Sequence, residues 1–157
     1  MNYHRLENLS LDPTDRRILG ELAANARVPH AALGRLVGLS APSVAERIRR
    51  LEERGIIQGY TVRIDPDALG FPISGWLRVR PLPGELKRVT ELLRARPEVV
   101  ECHRVTGDDC FLALAHLPSV KALEALIDVL LLHATTNTSI VQSAPVAPRL
   151  PALAATA

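Results

Sequence analysis

The sequence predicts an α+β fold in two unlike parts. A winged helix-turn-helix domain occupies residues 9–58, a wing or linker strand 59–70, and a ferredoxin-like βαββαβ domain 71–146. Three observations lead there. The first fifty-odd residues repeat apolar positions at helical spacing in three short blocks. The second and third blocks are joined only by Gly38-Leu39-Ser40, a glycine-containing link short enough for a helix-turn-helix corner. In the second half the apolar period changes, and strand-like and helix-like runs follow in the order β-α-β-β-α-β.

Each element has its own signals. Asp12 is placed as the N-cap of the first helix, with Pro13 at its first position and Asp15 in the first turn, where a negative charge suits the positive helix end. Ile18, Leu19 and Leu22 form its buried stripe. The second helix starts near Pro29, turns Leu33, Leu36 and Val37 inward and stops at Gly38, a residue suited to the left-handed conformation of a helix end. Ser40 caps a third helix over 41–54, which Gly55 ends. "IIQGYTVRID" is β-type and suits the wing or linker. "ISGWLRVRP" alternates as a strand, and "GELKRVTELLRARP" is an amphipathic helix carrying Leu86, Val89, Leu92 and Leu93. "VVECHRVT" and "CFLALAHL" make a hairpin with its turn at Gly107-Asp108-Asp109. "SVKALEALIDVLLLHA" is a helix with Val120, Leu123, Ile127, Leu130 and Leu131 inward, and "TTNTSIVQS" is the last strand. Residues 1–8 read as an N-terminal arm and 147–157, rich in Pro and Ala, as a mobile tail.

Composition narrows the class. With 47% hydrophobic and 23% charged residues the chain can bury a real core. No apolar run approaches the ~20 residues that span a bilayer, and the start lacks a secretory h-region, so no membrane partner and a cytoplasmic location are expected. Up to Ile64 there are ten Arg and Lys against seven Asp and Glu, a balance of +3; from Asp65 onward the counts are nine and ten, a balance of −1. The positive excess thus lies in the N-terminal part.

Cys102 and Cys110 lack metal spacing. In the hairpin register above they sit ~13 Å apart along the strands, beyond the ~7 Å a disulfide allows, so they read as buried free thiols. That register also puts His103 and His116 on opposite faces. The five histidines are scattered, and no phosphate loop, nucleophile elbow or Cys/His pair is present. No metal, cofactor or enzymatic activity is expected. Trp76 reads as a dimer or core residue.

The third helix carries the most information. With Val44, Ile48 and Leu51 inward, a rotation of 100° per residue turns Pro42, Glu46, Arg49, Arg50 and Glu53 outward and leaves Ser43, Ala45 and Arg47 on the flanks. Small residues at Ala41, Ser43 and Ala45 let a backbone come close. Arginine grips guanine or phosphate, and Glu46 can accept from a cytosine amine. The candidate DNA-binding residues are Ser40, Pro42, Ser43, Glu46, Arg47, Arg49 and Arg50. The competing reading pairs the arginines with Glu46, Glu52 and Glu53 on a solvated face.

The stretch from "LDPTDRRILGELAANARVPH" through "VGLS", "V..RI.RLE..G.I.GY" and "DPDALG" resembles the N-terminal region of the Lrp/AsnC family, the feast/famine transcriptional regulators. The second half, with "VTGDD" in its hairpin, is similar to that family's ferredoxin-like effector and oligomerisation domain. The resemblance covers roughly residues 9–146. It implies a sequence-specific regulator of double-stranded DNA, a dimer that assembles further, often to an octamer, with sheets pairing across the dimer. It also implies a small effector, such as an amino acid, bound between dimers near the hairpin. Carried over, the effector-binding residues are Gly107, Asp108 and Asp109, with Thr136 and Thr138 on the last strand. Where the family often has Gly-Asp-Tyr-Asp, this chain has Gly107-Asp108-Asp109-Cys110, and the hairpin could also be a simple turn. An architectural protein that wraps DNA without an effector is the alternative.

Overall fold

The computed structural model describes residues 11–150, so the arm at 1–8 and the tail beyond 150 lie outside the described residues. The chain divides near residue 62, and residues 63–147 make the second unit. Among the described residues no helix is long and apolar enough to cross a membrane.

The first unit holds α1 (Pro13–Ala24), α2 (His30–Val37) and α3 (Ala41–Glu53). Asp12 caps α1, its Oδ1 accepting from the Asp15 backbone N–H at 2.7 Å. Gly38 ends α2 at φ 75°, in the left-handed region that the sequence signal required. Ser40 Oγ accepts from the Ser43 backbone N–H at 3.3 Å and starts α3. Ser40→Ala should therefore cost about 1 kcal/mol in a denaturant melt; no change would show that the cap is redundant. Ile18, Leu33, Val37, Val44, Ile48 and Leu51 form one core, with Leu19 and Leu22 half-buried against it. Leu36 is not in it. The buried face of α2 runs through Leu33, Gly34 and Val37, leaving Leu36 50% exposed. Counting apolar side chains overlooks a glycine that is buried because another backbone segment lies against it.

The wing or linker strand does not form in the single chain. Residues 58–65 have no regular structure, Tyr60, Val62 and Ile64 are exposed, and a 3₁₀ turn, Asp67–Leu69, follows. β-propensity is present, but among the described residues no neighbouring strand supplies the ladder that would use it.

The second unit contains β1 (Ile73–Pro81), α4 (Leu86–Ala95), β2 (Val99–Arg104), β3 (Phe111–Leu117), α5 (Val120–Leu131) and β4 (Ala134–Ile140). The strands form an antiparallel sheet in the order β2-β3-β1-β4. Both helices cover one face. Leu77, Val79, Ala113, Ala115 and Leu117 pack there with Val89 and Leu93 of α4 and Leu123, Leu126 and Leu130 of α5. Val120 and Leu131, expected inside, are each about half exposed, and Leu126 takes the inner position. A helix that is apolar nearly all round does not reveal its phase by period alone.

The hairpin register differs by one residue from expectation. Cys102 pairs with Ala113 and His103 with Leu112, and the Val105 N–H donates to the Cys110 carbonyl, so the loop is 106–109. A slip of one residue moves every side chain to the other face. His103 and His116 therefore share a face. Cys102 is an exposed thiol on an edge strand, not a buried one. Trp76, opposite Leu114, lies half-buried on the face away from the helices and is not part of the core.

Candidate functional site

On α3 the structure turns Val44, Ile48 and Leu51 inward, as the four-then-three spacing required. Ser40, Pro42, Ser43, Glu46, Arg49 and Arg50 are exposed. Ser40 and Ser43 also bond each other through their hydroxyls at 2.8 Å. Arg49 forks onto Glu46, its Nε reaching Oε2 at 3.0 Å and its Nη2 reaching Oε1 at 2.7 Å, and it also bonds Glu53. Arg50 Nε is 3.7 Å from Glu46. These hydrogen bonds hold the Glu46 carboxyl below and the Arg49 guanidinium above their ordinary pKa values.

Of the solvated pairs in the competing reading, those of Arg49 and Arg50 with Glu46 and Glu53 exist, while Glu52 accepts from the Tyr60 hydroxyl at 2.8 Å; their energy decides little. Exposed pairs on one helix contribute little, because water and salt screen them and two long side chains must be held in place. A phosphate can replace such a partner with a charge-assisted hydrogen bond of its own.

Arg47 differs. Its Nη1 donates to Asp12 Oδ2 at 2.5 Å and to Asp15 Oδ1 at 2.7 Å, bridging α3 to the start of α1. The hydrogen bond from Arg47 holds the Asp12 carboxyl below its ordinary value of 3.8. The stabilisation linked to that depressed pKa is full above the ordinary value and is lost as the pH falls through the folded one. Acid titration of Asp12 by NMR should find its midpoint below 3.8; a midpoint at or above it would break the link to Arg47. Periodicity along one helix could not show partners on another.

In the second unit, Gly107 has φ 104°, which suits the turn. Arg80 holds Asp108, its Nε donating to the backbone carbonyl at 2.6 Å and its Nη2 lying 3.0 Å from Oδ1. Beside the loop is a cavity of about 230 Å³ lined by Arg78, Val105, Thr106, Asp108, Asp109 and Leu112. Among the described residues Arg78 and Asp109 have no ion-pair partner. The cavity thus carries one unpaired cation and one unpaired anion. Sequence reasoning missed Arg78; the alternation of "ISGWLRVRP" could have placed it and Arg80 together on one strand face.

Thr136 and Thr138 are not brought to this cavity. They pair with Val79 and Leu77 and share their helix-covered face, whereas Arg78 points to the other side. A larger groove of about 490 Å³ opens at the far end of β3, lined by Leu69, Phe71, Val100, His116 and others. Its wall is mainly apolar, with Glu98 as its charged member. The smaller cavity is a better match to a zwitterion than this groove or the cavity of about 450 Å³ at Arg94, Glu101 and Arg104, because its Asp109 is unpaired whereas Glu101 is held by His103.

A helix-turn-helix unit with an exposed arginine-bearing third helix is the architecture of a DNA-binding protein. Comparison with known proteins gives the particular family. The AsnC-type helix-turn-helix domain matches residues 11–52 and the Lrp/AsnC ligand binding domain matches residues 76–151. The HTH-type transcriptional regulator LrpA of Mycobacterium tuberculosis is 38% identical, over 76% of this chain and 81% of that protein. The leucine-responsive regulatory protein of Escherichia coli is 34% identical over 78% and 77%. Among solved structures, Bacillus subtilis LrpC superposes with a TM-score of 0.82 at 32% identity, covering 87% of this chain and 97% of the other. A feast or famine regulatory protein from M. tuberculosis, complexed with L-methionine, gives 0.84 at 33%, covering 90% and 99%. The chain belongs to the Lrp/AsnC family. It is a DNA-binding transcriptional regulator, and its homologues are regulators, not enzymes.

Proposed function

We propose that this regulator acts in the cytoplasm, reads double-stranded DNA with the exposed face of α3, and responds to a free amino acid bound at the 106–109 loop. The DNA contacts are Arg49 and Arg50, with Ser43 and Glu46 at base edges and Ser40 and Pro42 letting the helix N-terminus approach. At the loop, Arg78 takes the effector's carboxylate and Asp109 its ammonium group, while Gly107 and the Arg80-held Asp108 shape the turn. The observation that carries the effector assignment is the pair of unpartnered opposite charges in one small cavity. The L-methionine complex of the M. tuberculosis relative supports an amino acid as the ligand class.

The working unit is a homodimer that assembles further, up to an octamer. Half-buried Trp76, Leu112 and Leu114 on the uncovered sheet face support pairing through that face. A ligand can shift such an assembly only by binding one state better than another. Sedimentation with each of the common amino acids tests this. At least one should change the distribution of species, and identical profiles for all would remove the switch.

The DNA face has its own test. Arg49→Ala should flatten the dependence of log affinity on log salt by about 0.9 if that side chain neutralises one phosphate. An unchanged slope strikes Arg49 from the phosphate contacts.

A further inference from the structure

We infer that Arg47 is a positioning residue of the recognition helix and not a DNA contact: its guanidinium clasps Asp12 and Asp15 at the start of α1 and so fixes how α3 presents its outer face. The inference rests on α3 being the DNA-reading helix.

The geometry is specific. At 100° per residue Arg47 lies roughly 70° from the centre of the buried stripe, whereas Glu46, Arg49 and Arg50 lie beyond 110°. Its side chain is 26% exposed, against 55% for Arg49 and 57% for Arg50. Asp15, at 8%, is the buried charged residue among the described ones, and its carboxylate is the inner end of the clasp. Releasing Arg47 to a phosphate would strand that carboxylate in a poorly solvated position, a cost the exposed Arg49 and Arg50 do not carry.

The apolar core holds α1 against α3 without direction, since burial is indifferent to small rotations. The tight turn ties α3 to α2 only. The two Arg47 hydrogen bonds, between residues 35 and 32 positions apart in sequence, are directional and connect α3 to α1. They oppose rolling of α3 about its axis, the motion that would swing Arg49 and Arg50 off the backbone.

The test uses the full-length protein and a duplex enriched by selection on the wild type. Affinity is measured across a salt series for wild type, Arg47→Met, Asp12→Asn and the double variant, with circular dichroism showing each folded at the assay temperature. Asparagine caps a helix as well as aspartate does, so Asp12→Asn removes one of the clasp's two negative charges and leaves α1 capped. Loss of stability alone would not move the affinity of a folded variant. Positioning predicts that each single change weakens binding about tenfold, that the double variant is no worse than Arg47→Met, and that the Arg47→Met salt slope keeps its wild-type value. A direct phosphate contact predicts the opposite sign for Asp12→Asn, because removing an anion beside an arginine facing DNA tightens binding, and it predicts a slope about 0.9 shallower for Arg47→Met. Tighter or unchanged binding by Asp12→Asn, or the shallower slope, overturns the inference. A wild type without salt-dependent duplex binding would instead overturn the DNA-reading role of α3 itself.

Discussion

Gly34→Ala should lower the melting temperature of the N-terminal unit and weaken DNA binding by more than tenfold, although alanine is the better helix former. Two effects of opposite sign meet at this position. Helix propensity favours alanine over glycine by roughly 1 kcal/mol in a helix interior. Against it, a Cβ on Gly34 would stand 2.4 Å from the Leu39 carbonyl oxygen and 3.4 Å from its carbon. Those are backbone atoms of the three-residue turn and cannot rotate out of the way. Displacing them costs about 1–3 kcal/mol, and more where nothing can yield. The Leu39 N–H donates to the Gly34 carbonyl at 2.9 Å, so the same shift strains the hydrogen bond that closes the corner. Because Ser40, the N-cap of α3, is the next residue, the displacement passes to the DNA-reading face. Thermal denaturation with duplex titration checks this. A stabilised variant with full affinity would mean that the turn relaxes freely and that Gly34 is not its anchor.

Arg78→Ala and Asp109→Asn should each weaken effector binding by about 10- to 100-fold, the range expected for losing a hydrogen bond to a charged group, and leave ligand-free DNA affinity unchanged. Both residues line the loop cavity in the second unit, whereas α3 belongs to the first. The two variants fail in different ways. Without Arg78 the site should lose discrimination for the carboxylate and bind a simple amine nearly as well as the amino acid. Without the Asp109 charge it should lose discrimination for the ammonium group. Isothermal titration with an amino acid, its amide and its des-amino analogue separates these cases. Asp108→Asn should have a smaller effect, because Asp108 is held by Arg80 and its side chain is 96% exposed. If Asp108→Asn is the damaging change and Asp109→Asn is silent, the ammonium belongs on the other acid.

What could be read in the sequence was local. Val44, Ile48 and Leu51 announced the buried face of α3, and Asp12, Ser40 and Gly38 marked helix ends, because caps and periodicity act within a few residues. What could not be read depended on partners distant in the chain. Arg47 meets Asp12 only because α1 and α3 pack together. Arg78 reaches the 106–109 loop because β1 lies beside β3. Leu36 and Leu131 misled for a related reason: an apolar side chain says that something is buried nearby, not which turn of the helix faces it. The hairpin was recognised but its register was not, since a loop of three residues and one of four satisfy the same Gly-Asp-Asp signal. That single residue decided the faces of Cys102, His103 and His116.

The most direct test of the proposed function is the affinity of the full-length protein for the duplex upstream of its own gene and for a scrambled duplex, across a salt series, with and without a pool of amino acids. Tight, salt-steep binding that prefers the upstream duplex and shifts with the pool is the expected result. Equal affinity for both duplexes, unmoved by any amino acid, would contradict it and favour an architectural protein that wraps DNA without an effector.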